Sequence, residues 1–263
     1  MRLFWVDAFT DKVFTGNPAG VVPLDAWLPD ERMRLIAFEN GLSETAFFVR
    51  TGPDRFHLRW FTPAVEVDLC GHATLASAFV IFHELGQAGT RLTFDSRSGP
   101  LHVTRRPDGA LELDFPSRPA LPLAHPPPEI LASLNVAPRA LLKTATHPYY
   151  LAVYATQAEV LALRPDFPRL AQLGDARVIA TAPGDACDCA SRFFAPGAGV
   201  PEDPVTGSAH CTITPYWVAR LGKNPLRARQ VSARGGELLC TLDGDRVRLA
   251  GRAALYLRGE IAG

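Results

Sequence analysis

The sequence lacks the signatures of several common enzyme and binding classes. No G-x-G-x-x-G, Walker A, H-E-x-x-H or G-x-S-x-G motif occurs in it, which argues against dinucleotide, phosphate-loop, zinc-hydrolase and serine-hydrolase chemistry. Its 27 Lys and Arg residues are balanced by 27 Asp and Glu residues, with no basic block. We therefore expect no nucleic-acid partner.

Long apolar runs and a disulfide framework are missing as well. The longest mostly apolar stretch, Ala73 to Phe82, is too short to span a bilayer. The early acid Asp7 leaves no room for the hydrophobic region of a signal peptide. We expect a cytoplasmic protein that does not associate with membranes. The five cysteines are an odd number in irregular positions, which predicts free thiols and no metal site.

An internal repeat is what this chain of 263 residues does contain. Glu66 and Glu202 are 136 positions apart (202 minus 66), and further identical pairs share that offset. They include Gly71 and Gly207, Ala73 and Ala209, Leu85 and Leu221, Gly86 and Gly222, Ser96 and Ser232, and Gly99 and Gly235. Repetition at one fixed offset predicts two lobes of similar structure.

Each repeat carries a helix that follows an acidic loop. Gly71 to Leu85 is mostly apolar around its circumference and ends before Gly86, which predicts a helix enclosed on all sides. Ser208 to Leu221 is its counterpart, with a kink or late start expected at Pro215. Alternating and β-branched runs predict sheets wrapped around both helices. The predicted strands are Leu3 to Phe9, Ala46 to Arg50, Phe56 to Phe61, Arg91 to Asp95, Leu101 to Arg105, Leu111 to Phe115, Tyr150 to Tyr154, Arg177 to Ala180, Arg229 to Ser232, Glu237 to Leu242, Arg246 to Leu249 and Ala253 to Leu257.

Two other segments organise the chain. An amphipathic surface helix is predicted from Pro29 to Asn40, ending at Gly41 shortly before Glu44. Its inward-facing side chains are expected to be Met33, Ile36 and Ala37. Six prolines from Pro116 to Pro128 predict an extended linker. We therefore divide the chain into an N-terminal lobe at 1–118 and a C-terminal lobe at 119–263, whose last strand can return to the N-terminal lobe.

The starts of the two core helices are candidate anion-binding sites. The first backbone N–H groups of a helix have no intrahelical partner and carry a partial positive charge. Small residues there let a carboxylate approach the backbone. The N–H groups concerned belong to Gly71, His72 and Ala73, and to Gly207, Ser208 and Ala209.

Three side chains near these starts are candidates for moving protons. Glu44 lies between a helix end and a strand, where it is either a cleft carboxylate or a solvated residue. His72 is either a proton relay or a core histidine. Asp203 is either an assisting acid or a complement to the helix dipole, and Ser208 is either a substrate contact or a helix cap.

Several motifs, in fixed order along the whole chain, carry a family resemblance. They are Asp7-Ala8-Phe9-Thr10, Phe14-Thr15-Gly16-Asn17-Pro18-Ala19-Gly20-Val21-Val22, Leu42-Ser43-Glu44-Thr45-Ala46-Phe47, Phe61-Thr62-Pro63, Asp68-Leu69-Cys70-Gly71-His72-Ala73-Thr74-Leu75-Ala76 and Glu202-Asp203-Pro204-Val205-Thr206-Gly207-Ser208-Ala209-His210. In these motifs the chain resembles the phenazine-biosynthesis F (PhzF-like) family of the diaminopimelate-epimerase-like superfamily.

The resemblance implies an α+β, diaminopimelate-epimerase-like fold of two pseudo-symmetric lobes, each a sheet wrapped around a central helix, with the active site between them. It implies Glu44, His72 and Asp203 as catalytic residues and Ser208 as a substrate contact, and we place Asn17 among the substrate-binding residues. It further implies a homodimer and a cofactor-independent isomerase. Glu44 would move a proton, and hence a double bond, on a small carboxylate resembling dihydro-hydroxyanthranilate.

Two alternatives stay open at this point. Related epimerases and proline racemases use a cysteine from each lobe, and by motif alignment those places are held here by Ala76 and Thr206, which disfavours a two-thiol mechanism. A racemase that uses Glu44 without the cysteine pair is one alternative. A non-catalytic protein of the same fold, binding a small molecule or another protein, is the other, because architecture alone does not fix function.

Overall fold

The repeat in the sequence reappears in the order of strands and helices. The computed structural model describes residues 1–262. The first half contains β1 (Arg2–Ala8), β2 (Asn17–Leu24), α1 (Asp30–Asn40), β3 (Thr45–Arg50), β4 (Arg55–Phe61), β5 (Glu66–Val67), α2 (Gly71–Phe79), β6 (Arg91–Ser96), β7 (Gly99–Arg105), β8 (Leu111–Pro116) and β9 (Ala120–Pro122). The second half contains α3 (Pro128–Ser133), β10 (Ala140–Thr144), β11 (Tyr149–Val153), α4 (Gln157–Leu161), α5 (Phe167–Ala171), β12 (Arg177–Pro183), β13 (Cys189–Ala195), β14 (Val200–Asp203), α6 (Gly207–Leu221), β15 (Leu226–Gln230), β16 (Gly236–Asp243), β17 (Arg246–Gly251) and β18 (Ala253–Glu260).

Corresponding strands pair in the same directions. In the first half β1 and β2 are antiparallel, β2 and β3 parallel, β3 and β4 antiparallel, and β4 pairs with β5 antiparallel and with β6 parallel. In the second half β10 to β15 repeat this pattern step by step. The fold is therefore the diaminopimelate-epimerase-like one, with a duplicated β-sheet and central-helix unit.

The last strand of each half belongs to the other compact unit. The first unit comprises Met1–Asp114 together with the segment that begins at Ala250, and the second comprises Phe115–Leu249. Accordingly β18 pairs with β1, and β9 pairs with β10. The two units thus exchange equivalent strands, and neither half of the sequence contains all of the strands of one unit.

The helix α2 is enclosed, as its composition predicts. Every side chain from His72 to Ala78 is buried, and so are those from Val80 to Phe82. The α-helix ends at Phe79, earlier than the predicted Leu85, and a π-helical turn continues it to Glu84. In that turn the Leu85 N–H donates to the Val80 carbonyl at 2.9 Å.

The helix α6 starts at Gly207 and continues through Pro215, so of the two alternatives expected at that proline, a kink or a late start, the late start is wrong. Proline has no N–H, which leaves the carbonyl four residues earlier without its helical donor. That carbonyl belongs to Cys211, and the backbone N–H of Arg118 donates to it at 2.9 Å. The proline-rich linker therefore completes the hydrogen bonding that Pro215 interrupts.

Paired arginines hold the acidic loops in front of α2 and α6. Glu66 accepts two hydrogen bonds from Arg59, each of 2.7 Å. Its repeat counterpart Glu202 accepts two from Arg192, of 2.7 and 2.8 Å. Bidentate pairs of this kind fix geometry as well as charge, so the repeated glutamate has a structural role.

The surface helix is confirmed at α1, which buries Met33, Ile36 and Ala37 and ends at Gly41 in the left-handed conformation, with φ 63°. One predicted strand is shifted along the chain. Residues 229–232 were expected to form it, but β15 ends at Gln230.

Across residues 1–262, no helix combines the length and apolar character needed to cross a bilayer.

Candidate active site

Glu44 is held at the junction between α1 and β3. Gly41 turns the chain out of the helix, and Leu42 is buried just before Glu44. The Glu44 carbonyl accepts a hydrogen bond of 3.3 Å from the N–H of Gly20 in the neighbouring strand β2. The backbone is thus fixed on both sides, and the side chain, 17% exposed, keeps limited contact with solvent.

His72 contacts this carboxylate from the first turn of α2. Its Nε2 atom lies 3.3 Å from Oε2 of Glu44, and its side chain is 7% exposed. The two residues are 28 positions apart (72 minus 44). They meet because β2 and β3 pair in parallel beside the helix start.

The imidazole of His72 is neutral at neutral pH. Burial lowers its pKa from 6.5 to about 4, although a hydrogen bond to the backbone of Pro18 acts in the opposite direction. A neutral imidazole offers one N–H donor and one acceptor nitrogen. It therefore places no fixed positive charge beside the Glu44 carboxylate.

Asn17 and Cys70 complete the group around His72. The Nδ2 atom of Asn17 lies 3.2 Å from His72 Nδ1, so the predicted binding residue Asn17 contacts the imidazole. Cys70 Sγ lies 3.5 Å from the same nitrogen. Ligand atoms of Glu44, Cys70 and His72 lie within 4.8 Å of one another, and within residues 1–262 this is the group with a donor set and spacing suited to a metal ion.

Cys70 was not among the residues predicted for the site. It is the N-cap of α2, and Thr206 is the N-cap of α6. The two are also related by the repeat offset (206 minus 136 gives 70). Ala76 lies in the second turn of α2, so the first-unit counterpart of Thr206 is Cys70 rather than Ala76. The 136-residue offset, applied to Thr206, would have identified it.

In the second unit, Asp203 is oriented by a buried network. The hydroxyl of Thr206 donates to Asp203 Oδ2. Gln230, fully buried at the end of β15, donates to the Asp203 carbonyl at 2.7 Å and accepts from the Thr206 N–H at 2.9 Å. Gln230 is a second residue that sequence reasoning missed, because only the pairing of distant strands brings it to this loop.

Ser208 is not the cap of α6, since that position belongs to Thr206. Its hydroxyl instead lies 3.0 Å from the hydroxyl of Tyr149. Arg177 donates to the same Tyr149 oxygen at 3.2 Å. Neither Tyr149 nor Arg177 was predicted, because nothing in their local sequence distinguishes them from ordinary strand residues.

Both helix starts present backbone N–H groups that the helix itself does not use. Neither α2 nor α6 has a side-chain hydrogen bond at its N-cap, and the first N–H groups of a helix have no intrahelical partner. In the first unit these belong to Gly71, His72 and Ala73. In the second they belong to Gly207, Ser208 and Ala209.

Comparison with known proteins identifies the family of the chain. The family model described as "Phenazine biosynthesis-like protein" matches residues 6–259. The chain belongs to this family. The chain is 51% identical over 261 residues to a Pseudomonas aeruginosa protein named an uncharacterized isomerase, covering 99% of this chain and 98% of that protein.

Solved structures give the same result. A crystal structure of a PhzF-family phenazine biosynthesis protein from Enterococcus faecalis has a TM-score of 0.92 and 44% identity, over 99% of this chain and 98% of that chain. A probable proline racemase from Agrobacterium radiobacter matches 99% of this chain and 92% of its own with a TM-score of 0.58 and 12% identity. At that identity the likeness shows a shared fold.

Proposed function

We propose that this member of the phenazine biosynthesis-like family is a cofactor-independent isomerase. Glu44 would move a proton, and with it a double bond, on a small carboxylate resembling dihydro-hydroxyanthranilate. The observation that carries the proposal is the 3.3 Å contact between Glu44 and a buried His72 whose pKa is lowered to about 4. The isomerase name of the Pseudomonas aeruginosa relative supports it.

The proposed reaction leaves the composition of the substrate unchanged. The Glu44 carboxylate takes a proton from one carbon, and the electron pair of the broken C–H bond forms a new double bond as the existing one shifts. The Glu44 carboxyl group then returns the proton to a second carbon. One side chain serves as base and then as acid, as general acid–base catalysis permits, and no redox partner is needed.

His72 suits this order of proton-transfer steps because its imidazole is uncharged. A fixed positive charge near a carboxylate favours its ionised form and opposes proton uptake. The neutral imidazole lies 3.3 Å from the Glu44 carboxylate without such a charge, and Asn17 would orient the ring through its contact with Nδ1. His72 therefore assists the proton transfer without competing for the proton.

We assign Asp203 and Ser208 supporting roles in the same reaction. Asp203 would act as the assisting acid, and the Thr206 and Gln230 hydrogen bonds would orient it. Ser208 would contact the substrate, and the N–H groups of Gly71, Ala73, Gly207 and Ala209 would bind its carboxylate. Homodimer formation and a cytoplasmic location remain predictions, to be tested by analytical ultracentrifugation and by localisation of a tagged protein.

A racemase that relies on two thiols fits the site less well. Cys70 has its counterpart in Thr206, whose hydroxyl is engaged by Asp203, and a threonine hydroxyl is a poor base at neutral pH. A racemase that uses Glu44 alone is distinguished from the isomerase by the product, because racemisation gives the mirror image and isomerisation gives a new double-bond position.

The proposal is tested by comparing wild type with Glu44→Gln on dihydro-hydroxyanthranilate and related carboxylates. Product formation in deuterated water, followed by NMR, should fall by about two to four powers of ten in the variant, while binding is retained. Glu39→Gln, an exposed position on α1, is the matched control and should behave as wild type. Equal turnover by wild type and Glu44→Gln would contradict the proposed role of Glu44 as proton carrier. Binding of the carboxylates without conversion would favour the non-catalytic alternative.

A further inference from the structure

We propose that Arg177 and Tyr149 form a positioning relay that makes the Ser208 hydroxyl a hydrogen-bond donor to its ligand, and so selects ligands with a carboxylate at that place over their amides. The inference rests on the proposed function for the role of Ser208. It extends that function to two side chains outside the family motifs, and it gives a reason for the preference for acids.

The first link of the relay has a fixed direction. A guanidinium group has only donors, so the 3.2 Å contact between Arg177 and the Tyr149 hydroxyl makes the Tyr149 oxygen the acceptor. Arg177 is itself held in place by Asp175 Oδ1, to which its Nε and Nη2 atoms donate at 3.1 and 2.8 Å. Tyr149 and Arg177 are direct partners in the parallel pair β11 and β12.

The second link follows from the burial of Tyr149. This residue is 2% exposed, and its hydroxyl hydrogen needs an acceptor, since a buried donor without a partner is costly. Within residues 1–262 its hydrogen-bonding partners are Arg177, which cannot accept, and Ser208 Oγ at 3.0 Å. Tyr149 therefore donates to Ser208.

The third link is the ligand. Once the Ser208 oxygen accepts from Tyr149, its own hydrogen is left to point elsewhere. Ser208 is the second residue of α6, where the backbone N–H groups are donors as well. A ligand group that meets only donors must be an acceptor, and a carboxylate satisfies them better than an amide, whose NH₂ would face another donor.

The surroundings of Tyr149 keep the relay rigid and electropositive. The ring packs edge-on against Phe193, with 5.8 Å between centroids, which fixes the direction of the hydroxyl group. Burial, together with the positive charges of Arg118 and Arg177, lowers the pKa of the adjacent His147, and the single negative charge of Asp175 acts in the opposite direction. Charge of this sign around the relay favours an anionic ligand.

A double-mutant cycle on binding tests the relay. Calorimetric titration would use 3-hydroxyanthranilate and its primary amide as probes against wild type, Tyr149→Phe, Ser208→Ala and the double variant. Tyr149→Phe keeps the ring and its packing. We expect it to weaken acid binding about three- to tenfold, to reduce the preference for acid over amide, and to have no further effect when Ser208 is alanine. Tyr150→Phe, on the adjacent and half-buried position, is the control and should leave both affinities unchanged.

Two results would overturn the relay: equal weakening by Tyr149→Phe in both backgrounds, which marks a structural role, or no weakening in either. A probe that does not bind to wild type would count against the proposed function. In that case the direction of the hydrogen bond between Tyr149 and Ser208 is determined without any ligand, by neutron diffraction from deuterium-exchanged crystals of wild type. Deuterium on the Tyr149 oxygen directed at Ser208 is expected, and deuterium on Ser208 directed at Tyr149 would contradict it.

Discussion

Cys70 and Thr206 occupy the same position in the two repeats, each as the N-cap of a buried helix. The Thr206 hydroxyl donates to an aspartate, whereas Cys70 Sγ lies 3.5 Å from the imidazole of His72. A shared backbone position has thus acquired two different polar environments. This difference bears on which groups carry protons.

Replacement of Cys70 tests whether its thiol carries a proton during the reaction. Cys70→Ser keeps a small polar N-cap, and we expect turnover to change by far less than the roughly hundredfold minimum loss typical of a missing acid–base group. Steady-state kinetics beside Glu44→Gln would measure this. A loss in Cys70→Ser as large as in Glu44→Gln would place the thiol in the proton pathway.

The buried histidines should make the protein sensitive to acid. Burial lowers the pKa of His210 from 6.5 to about 4, so the unfolded chain binds a proton at this residue at a higher pH than the folded protein does. Above about pH 6.5 the imidazole is neutral in both the folded and the unfolded state, and the free energy of unfolding does not depend on its protonation. As the pH falls from 6.5 towards 4, the unfolded chain takes up the proton first, and the free energy of unfolding decreases. The loss is up to roughly 3 kcal/mol for each such histidine.

Urea unfolding at pH 7.5 and pH 5 measures this effect. His210→Gln removes one titrating group, so its stability should differ less between the two pH values than that of wild type. The exposed His125 provides the control, and His125→Gln should keep the wild-type difference. An unchanged pH dependence in His210→Gln would show that this imidazole is not the source.

The Gln230 network gives a third prediction. Gln230→Leu keeps the volume but removes partners from the Thr206 N–H and the Asp203 carbonyl. We expect a loss of about 1–3 kcal/mol for each buried group left unsatisfied, and slower turnover because Asp203 is no longer held. Thermal unfolding and kinetics measure both effects. Gln172→Leu, at an exposed position, should alter neither, and wild-type behaviour of Gln230→Leu would be inconsistent with the network.

The backbone hydrogen bond from Arg118 to Cys211 gives a fourth prediction. Arg118→Pro removes the N–H that replaces the donor missing at Pro215, so the Cys211 carbonyl loses its partner, and stability should fall by about 1–3 kcal/mol. Arg118→Ala keeps that N–H and is the control for loss of the side chain. Chemical denaturation would compare them, and equal stability of the two variants would contradict this role for the linker backbone.

Local patterns predicted much of the fold but less of the site. The glycine stop at Gly41 and the apolar circumference of α2 are signals within a few residues, and both were read correctly. Strand β2 was missed because Pro18 and Pro23 lie in it, and proline argues against a strand. Tyr149, Arg177 and Gln230 were missed because their partners are distant in sequence, so that only the tertiary structure brings them into contact.

The adjacency of β1 and β18 also determines how the first unit responds to force. The Met1 amino group donates to the Ile261 carbonyl at 2.9 Å, and Arg2 pairs with Glu260 in antiparallel register. Tension applied at Met1 and Ile261 therefore breaks the hydrogen bonds between these strands one residue pair at a time, starting at the pulled ends, instead of loading all of them together. In a single-molecule pulling experiment the first event should be a low-force peeling of β18 from β1, before either buried helix is exposed.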